Sequence, residues 1–148
     1  MKLQGSATLP APRQAAWALL NDPVRLARCL PGCEALEPDG PGRFKAKVKM
    51  MVAAISGSYS GTLEILEQKE PLRMRLRIEG KGVPGFMNAE GTLELHEKKG
   101  QTEVRYSGEA QVGGLVASVG QRMIEGVAKK IVQQFFAAAA RELEKAPS

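Results

Sequence analysis

The sequence predicts one α+β domain over residues 1–148, in which a seven-stranded, curved antiparallel sheet wraps around a long C-terminal helix. Three observations predict it. Apolar and polar residues alternate with a period of two from Cys33 to Val112, the period changes to 3.6 after Gly113-Gly114, and the length is sufficient for a substantial core. Because the apolar residues share one face of the sheet, that face must be covered, and a long helix can cover it.

The chain begins with a predicted strand in which Leu3, Gly5, Ala7 and Leu9 alternate with polar residues. Pro12 suits the first turn of a short helix that continues to Leu20. The sequence Asn21-Asp22-Pro23 closes this helix and caps a second one, which passes Leu26 and ends at Leu30-Pro31-Gly32. Two short helices therefore follow the first strand.

Six further strands are predicted from the alternation and from the turn residues between the runs. Five alternating runs are clear: Phe44 to Met50, Gly57 to Ile65, Leu72 to Ile78, Ala89 to Leu95 and Val104 to Ala110. Val116, Val119, Met123, Val127, Ile131 and Phe135 then recur at helical spacing. They predict one helix of about 30 residues, roughly 45 Å long.

Composition excludes several classes of function. Charged residues make up 25% of the chain and the net charge is +5, with the basic residues dispersed and no aromatic-studded motif, which argues against nucleic acid. Met1 to Leu9 lacks the apolar run of a signal peptide, so we expect a cytoplasmic protein. Cys29 and Cys33 have the wrong spacing for a zinc knuckle and His96 is the only histidine, so no metal is expected and the thiols are interpreted as buried.

Small residues on the inward face, such as Gly61 and Gly91, have two interpretations. They bend a curved sheet that packs solidly on the helix, or they leave space for an apolar ligand with tyrosine hydroxyls as polar handles. We favour the cavity, with an aromatic head group placed between the two tyrosines. The predicted lining residues are Val48, Met50, Tyr59, Leu76, Phe86, Tyr106, Leu115, Met123 and Val127.

Two predicted hairpin tips are unusually apolar for exposed turns. They are interpreted as a cavity gate that forms a membrane rim, with lysines near enough to meet anionic headgroups; the alternative is that both tips pack on each other and on Leu115. The gate residues are Met51, Val52, Ile55, Val83 and Pro84. On the outer face, Arg73, Arg75 and Arg77 are expected to form an ion-pair ladder with Glu64, Glu90 and Glu94. The charge run is interpreted mainly as solvated surface, and Lys45, Lys47 and Lys49 remain as a candidate docking strip.

The sequence offers little for an enzyme. By strand phase His96, Glu90, Glu94, Glu103 and Glu109 point outward, and the inward faces hold almost nothing ionisable. We therefore predict a non-catalytic protein without a cofactor. An interaction module with a vestigial cavity and an enzyme on the same fold stay open as alternatives.

Several segments resemble one known family. They are Leu20-Asn21-Asp22-Pro23, the run Cys29-Leu30-Pro31-Gly32-Cys33-Glu34, the strand around Tyr59, and Val112-Gly113-Gly114-Leu115. They are similar to the CoxG family of carbon monoxide dehydrogenase proteins, which is part of the START-like (SRPBCC) helix-grip superfamily. The resemblance implies an accessory protein that helps to recruit a molybdenum hydroxylase of the carbon monoxide dehydrogenase type to the inner face of the membrane. From the predicted cavity we expect a lipid or a quinone-like compound as cargo. Leu30 and Glu34, beside the turn, are predicted to dock the enzyme or release cargo next to Phe86; the alternative is a purely structural turn.

Overall fold

The computed structural model describes residues 1–51 and 55–145. In chain order the elements are β1 (Lys2–Leu9), α1 (Arg13–Leu20), α2 (Pro23–Cys29), β2 (Cys33–Pro38), β3 (Arg43–Met50), β4 (Gly57–Lys69), β5 (Arg73–Gly82), β6 (Gly85–Lys98), β7 (Gln101–Gly113), a 3₁₀ helix (Gly114–Val119) and α3 (Gln121–Lys145). The seven strands form one sheet in the order β1-β7-β6-β5-β4-β3-β2. Every neighbouring pair is antiparallel, which confirms the predicted fold.

The hydrophobic core lies at one end of the sheet, which we call the closed end. The short helices, β1, parts of β5 to β7 and the second half of α3 meet there; fully buried members include Leu9, Leu19, Met74, Leu95 and Val104. Thr102 is also buried, and its hydroxyl donates a hydrogen bond of 2.8 Å to the carbonyl of Ala11. This bond ties β7 to the chain between β1 and α1, so a buried polar group is satisfied where the core is densest.

The first short connection follows the predicted capping chemistry. Asp22 accepts hydrogen bonds from the amides of Val24 and Arg25, at 3.0 and 3.3 Å, and Pro23 is the first residue of α2. Both features are favoured at a helix N-terminus, because a side-chain oxygen satisfies an otherwise free amide and proline has no amide to satisfy.

The C-terminal helix begins later than predicted. A 3₁₀ helix occupies Gly114–Val119, and Gly120, with φ of 97°, separates it from α3. Residues other than glycine rarely adopt this φ, so Gly120 ends one helix before the next begins. The expected single helix from Val116 is therefore wrong in its first turns. α3 has 25 residues, a length of about 37 Å.

The predicted apolar stripe of the helix is also wrong at its N-terminal end. Phe136, Ala139 and Leu143 are buried and define the side of α3 that faces the sheet. Steps of four residues advance by about 40° each, because 3.6 residues complete a turn. Met123 consequently lies about 140° away from Phe136 around the helix, and it is exposed.

Glycines on the inward face serve the curvature of the sheet. A methyl group on Gly61 would lie 2.5 Å from the carbonyl oxygen of Glu79 on the neighbouring strand, so the close approach of the two backbones requires glycine there. Gly80 pairs with Gly61, yet a methyl group on Gly80 would meet nothing within 4 Å. The interpretation that Gly61 leaves ligand space is thus corrected, and Gly80 is the position that adjoins open space.

Candidate ligand-binding site

The inner face of the sheet is apolar but is not covered along its whole length. At the closed end Met74, Leu95 and Val104 are buried. Farther along the same face Leu63 and Leu76 are only half-buried. Ile78, which shares a register row with Leu63, is 37% exposed. Apolar side chains on a face that should be covered by α3 therefore remain open to solvent towards the end where the 3₁₀ helix lies, which we call the open end.

Four predicted lining residues lie on this partly open face. Val48, Met50, Tyr59 and Leu76 all have inward register positions and are half-buried. Val48 and Tyr59 face each other across β3 and β4. Val127 is also half-buried, but it lies nine residues before Phe136 and therefore about 180° away from it around α3, so its predicted place in the lining is wrong. The four strand positions are compatible with contact to a ligand, and their role in binding stays a prediction.

The Tyr59 hydroxyl has a structural partner. It donates a hydrogen bond of 2.6 Å to the carbonyl of Ile55, at the tip of the β3–β4 hairpin. Burial raises the pKa of the Tyr59 phenol above its usual value of 10.0, which favours the protonated form that donates this bond. Tyr59 thus holds the hairpin tip against the sheet.

Tyr106 belongs to the core instead of the open end. Its ring stacks on Phe136, with centroids 5.6 Å apart and an interplanar angle of 21°. The register aligns Tyr106 through β6 and β5 with Gln68 of β4, nine residues beyond Tyr59 and roughly 30 Å along the strand. The expectation that an aromatic group sits between Tyr59 and Tyr106 is therefore wrong.

Three other predicted lining residues do not face the inner space. Phe86 is on the outer face, in the same register row as Lys81 and Ser60, and is 48% exposed. Leu115 is 68% exposed on the 3₁₀ helix, and Met123 is exposed on α3. They are predicted to line the cavity because they are hydrophobic, but their positions along the strand or helix direct their side chains towards solvent.

The hairpin tips combine buried and projecting residues. Ile55 and Pro84 are buried, whereas Met51 is exposed and Val83 is 94% exposed. The carbonyl of Pro84 accepts a 2.7 Å hydrogen bond from the amide of Val116, which fixes the β5–β6 tip on the 3₁₀ helix.

A methyl group on Gly57 would lie 2.9 Å from the Pro84 ring, so the two tips also adjoin each other, as the packing alternative supposes. Leu115 is not part of that packing, since it is exposed. Val52 lies outside the described residues. Met51 and Val83 are the described tip residues that project, and a gating role for them is a prediction.

The turn after α2 is held by backbone hydrogen bonding and by packing on the core. Gly32 has φ of 75°, and its carbonyl accepts a 2.8 Å hydrogen bond from the amide of Lys49. Leu30 is half-buried against the core, so it is not presented for docking as predicted. Glu34 is exposed on β2, and β2 lies four strands away from β6, the strand that carries Phe86. The proposed neighbourhood with Phe86 is therefore wrong, and docking through Glu34 stays a prediction.

A polar pair on α3 was missed in the sequence. Glu125 precedes Phe136 and Leu143 by about three and five full turns, so it shares their sheet-facing side, and it is half-buried. The Gln121 amide donates a 3.1 Å hydrogen bond to its carboxylate. The expectation of an inward side almost without ionisable groups is corrected at this position. Counting back in full turns from Leu143 would have found it.

The two thiols are shielded. Cys29 is buried, Cys33 is half-buried, and no disulfide joins them. Burial is the main cause that raises the pKa of both thiols above 9.0, so their reactive thiolate forms are disfavoured at neutral pH. Within residues 1–51 and 55–145, no group of three or more His, Cys, Asp or Glu side chains is arranged to hold a metal ion.

The outer face carries the predicted ion-pair ladder in part. Arg77 lies 3.6 Å from Glu64 and 3.1 Å from Glu90, as expected from their register. Arg75 instead approaches Glu67, at 2.8 Å. The described residues include no ion pair of Arg73, although it faces Glu94 across the strands.

The sheet that grips a long helix defines this chain as a helix-grip protein. A family model for CoxG, a subunit of carbon monoxide dehydrogenase, matches residues 5–144. The chain belongs to this family, which confirms the resemblance seen in the sequence.

Solved structures agree with this assignment. A conserved protein from Geobacillus kaustophilus is 37% identical with a TM-score of 0.95, and the alignment covers 98% of this chain and 96% of that one. Two remote structures share the fold alone. They are Ara h 8.0201 (13% identity, TM-score 0.73, 99% of both chains) and the di-domain ARO/CYC BexL (15% identity, TM-score 0.71, 97% of this chain and 46% of that one). Among curated proteins no match to the chain is found.

Proposed function

We propose that this protein binds an apolar small molecule, a lipid or a quinone-like compound, on the inner face of its sheet and performs no reaction on it. The observation that carries the proposal is the uncovered apolar surface between the sheet and the first half of α3, where Ile78 is 37% exposed. A ligand that covers such apolar surface gains about 25 cal/mol of binding free energy for each Å² that is removed from water.

The polar pair on α3 supports one orientation of such a ligand. Glu125 is on the sheet-facing side near the helix N-terminus, where the exposed Gln121 donates a hydrogen bond to it, and Phe136, Ala139 and Leu143 make the second half of that side apolar. Small-molecule sites are commonly apolar with a few polar groups that fix orientation. A ligand with one polar end and an apolar body would place the polar end at the Gln121–Glu125 pair and the body towards Leu76.

The cellular role that we propose is that of an accessory protein for a molybdenum hydroxylase of the carbon monoxide dehydrogenase type, in the cytoplasm. Membership of the CoxG family supports this partner. No helix in the described part of the chain is long and apolar enough to cross a membrane. Peripheral contact through Met51 and Val83 would instead place the open end on the lipid surface, where exposed apolar side chains insert weakly and reversibly.

The ligand site is tested by filling the inner space at Gly80. A methyl group there would meet nothing within 4 Å, so Gly80→Leu adds volume to the open space without a clash at its first carbon. Gly126→Leu is the matched control, since Gly126 also has no neighbour within 4 Å but is exposed on α3. Binding is measured with cis-parinaric acid, a fluorescent fatty acid, and with a quinone as competitor.

We expect Gly80→Leu to weaken binding of the probe by roughly tenfold, a change of about 1.4 kcal/mol, while Gly126→Leu binds as the parent does. Thermal melting of both variants shows whether they remain folded. If the folded Gly80→Leu variant binds the probe as the parent does, or if the parent binds neither probe nor quinone, the inner face is not a ligand site.

A further inference from the structure

A groove of about 620 Å³ crosses the outer face of the sheet, on the side opposite to α3. Its floor is the backbone at Ala46, Gly61 and Gly80, where no large side chain rises. The lining side chains that decide its chemistry are Arg43, Lys45, Lys47, Ser60, Lys81 and Phe86. We call these residues the outer groove. It is separate from the inner face that the proposed ligand occupies.

The charges in the outer groove are unbalanced. Its lining includes four cationic and two acidic side chains. Arg43 is neutralised by Asp39 and Glu64, at 3.5 and 3.8 Å, and Lys45 lies 3.8 Å from Asp39. Lys47 and Lys81, by contrast, form no ion pair with any residue that the structure describes. Glu37 and Glu79 also form no described ion pair, but they lie in the neighbouring register row with Lys45, so the row of Lys47 and Lys81 carries positive charge alone.

Lys47, Ser60, Lys81 and Phe86 follow one another in a single register row across β3 to β6. Two strand spacings separate the two lysines, about 10 Å between their backbones, and the next strand adds Phe86. The Phe86 ring covers the backbone of Gly113 on one side and is 48% exposed on the other. The row thus offers two cations, a hydroxyl and an aromatic face in a line of roughly 15 Å.

We propose that the outer groove binds an extended acidic segment of a partner protein, with an apolar side chain placed against Phe86. Carboxylates would pair with Lys47 and Lys81, which have no described counter-ion, and the backbone floor of the groove leaves room for an extended chain between the lining side chains. A lipid bilayer fits this site less well, because a flat surface cannot enter a concave groove. Binding by exposed charges is weak and depends on salt, which suits a transient contact.

The test uses a short fluorescein-labelled peptide of alternating Glu and Ser residues around one Trp, and the same peptide with Gln in place of each Glu. Fluorescence anisotropy measures binding to the full chain and to Lys47→Glu/Lys81→Glu. The matched control is Lys129→Glu/Lys130→Glu, which changes the net charge equally on exposed positions of α3. Phe86→Ala tests the aromatic contact.

We expect the acidic peptide to bind the parent and the Lys129/Lys130 control alike, and to bind Lys47→Glu/Lys81→Glu about tenfold more weakly. The Gln peptide should bind poorly to all of them, and Phe86→Ala should weaken binding without changing its salt dependence. Equal loss in both charge-reversed variants would reduce the effect to net charge and overturn the proposal. Unchanged peptide binding by Lys47→Glu/Lys81→Glu would also overturn it, and if that variant had in addition lost the parent's sedimentation with phosphatidylglycerol vesicles, the occupant of the groove would be the membrane.

Discussion

Replacing Tyr59 with Phe removes the hydroxyl that holds the β3–β4 tip and leaves the ring in place. The lost contact is one hydrogen bond of 2.6 Å to the carbonyl of Ile55, in a half-buried setting. Such a bond contributes about 0.5 to 1.5 kcal/mol, which corresponds to roughly 2 to 5 °C of melting temperature in a chain of this size. We therefore expect Tyr59→Phe to melt a few degrees below the parent at neutral pH.

The pH dependence of this difference has a defined sign. Because burial raises the phenol pKa in the folded state, the contribution of Tyr59 is fully present below about pH 10, the pKa of the unfolded chain, and is lost as pH rises through the folded value. Calorimetry of both proteins from neutral to alkaline pH measures the gap between their melting temperatures. The gap should shrink above about pH 10, since only the parent has the titrating phenol at this position.

Tyr106→Phe is the matched control for Tyr59→Phe. The Tyr106 ring stacks in the core, and its hydroxyl forms no hydrogen bond with the residues that the structure describes. This control should melt close to the parent at neutral pH. The reasoning is refuted if Tyr59→Phe melts as the parent does, or if its deficit persists unchanged at alkaline pH.

Three further predictions concern stability and reactivity. Gly61→Ala should lower stability by roughly 1 to 3 kcal/mol in chemical denaturation because its methyl group meets a carbonyl 2.5 Å away, whereas Gly80→Ala should be neutral or slightly stabilising; equal effects would contradict the close-approach argument. Leu30→Ala should lower the melting temperature because Leu30 packs on the core, while Glu34→Ala should not. If Leu30→Ala melted as the parent does, the docking interpretation of Leu30 would be restored. Cys29 should react slowly with a thiol reagent at mildly alkaline pH until the protein unfolds, because its thiol is buried and its pKa raised; rapid labelling of the native protein at Cys29 would show that it is accessible.

The fold was largely predictable because each strand buries only one face. Alternation from Phe44 to Met50 and from Gly57 to Ile65 gives both the strands and their inward sides, and the structure keeps both. What alternation cannot show is how closely neighbouring strands approach. The requirement for glycine at Gly61 comes from the carbonyl of Glu79 on another strand, and no local pattern contains that contact.

The candidate site was less predictable because its residues were chosen by hydrophobicity, whereas the position of a residue along its strand or helix decides which way its side chain faces. Phe86 is predicted to line the cavity because it is apolar, but β6 begins at Gly85, so Phe86 is in phase with Asn88 and Glu90 on the outer face. On the helix, a stripe followed in steps of four drifts away from the true sheet-facing side. Because of this drift, Met123 was predicted to face the sheet and Glu125 was not.

The central claim, that the inner face carries an apolar cargo, is tested most directly by native mass spectrometry of the protein purified from its own host. Gentle desalting keeps a ligand that is buried between sheet and helix and removes one that is bound only at the surface. The account predicts an additional organic mass that survives desalting and is released on unfolding, and that is reduced in Gly80→Leu but not in Gly126→Leu. Repeated recovery of the bare chain mass from freshly purified protein would contradict it, and the protein would then act through its surfaces alone.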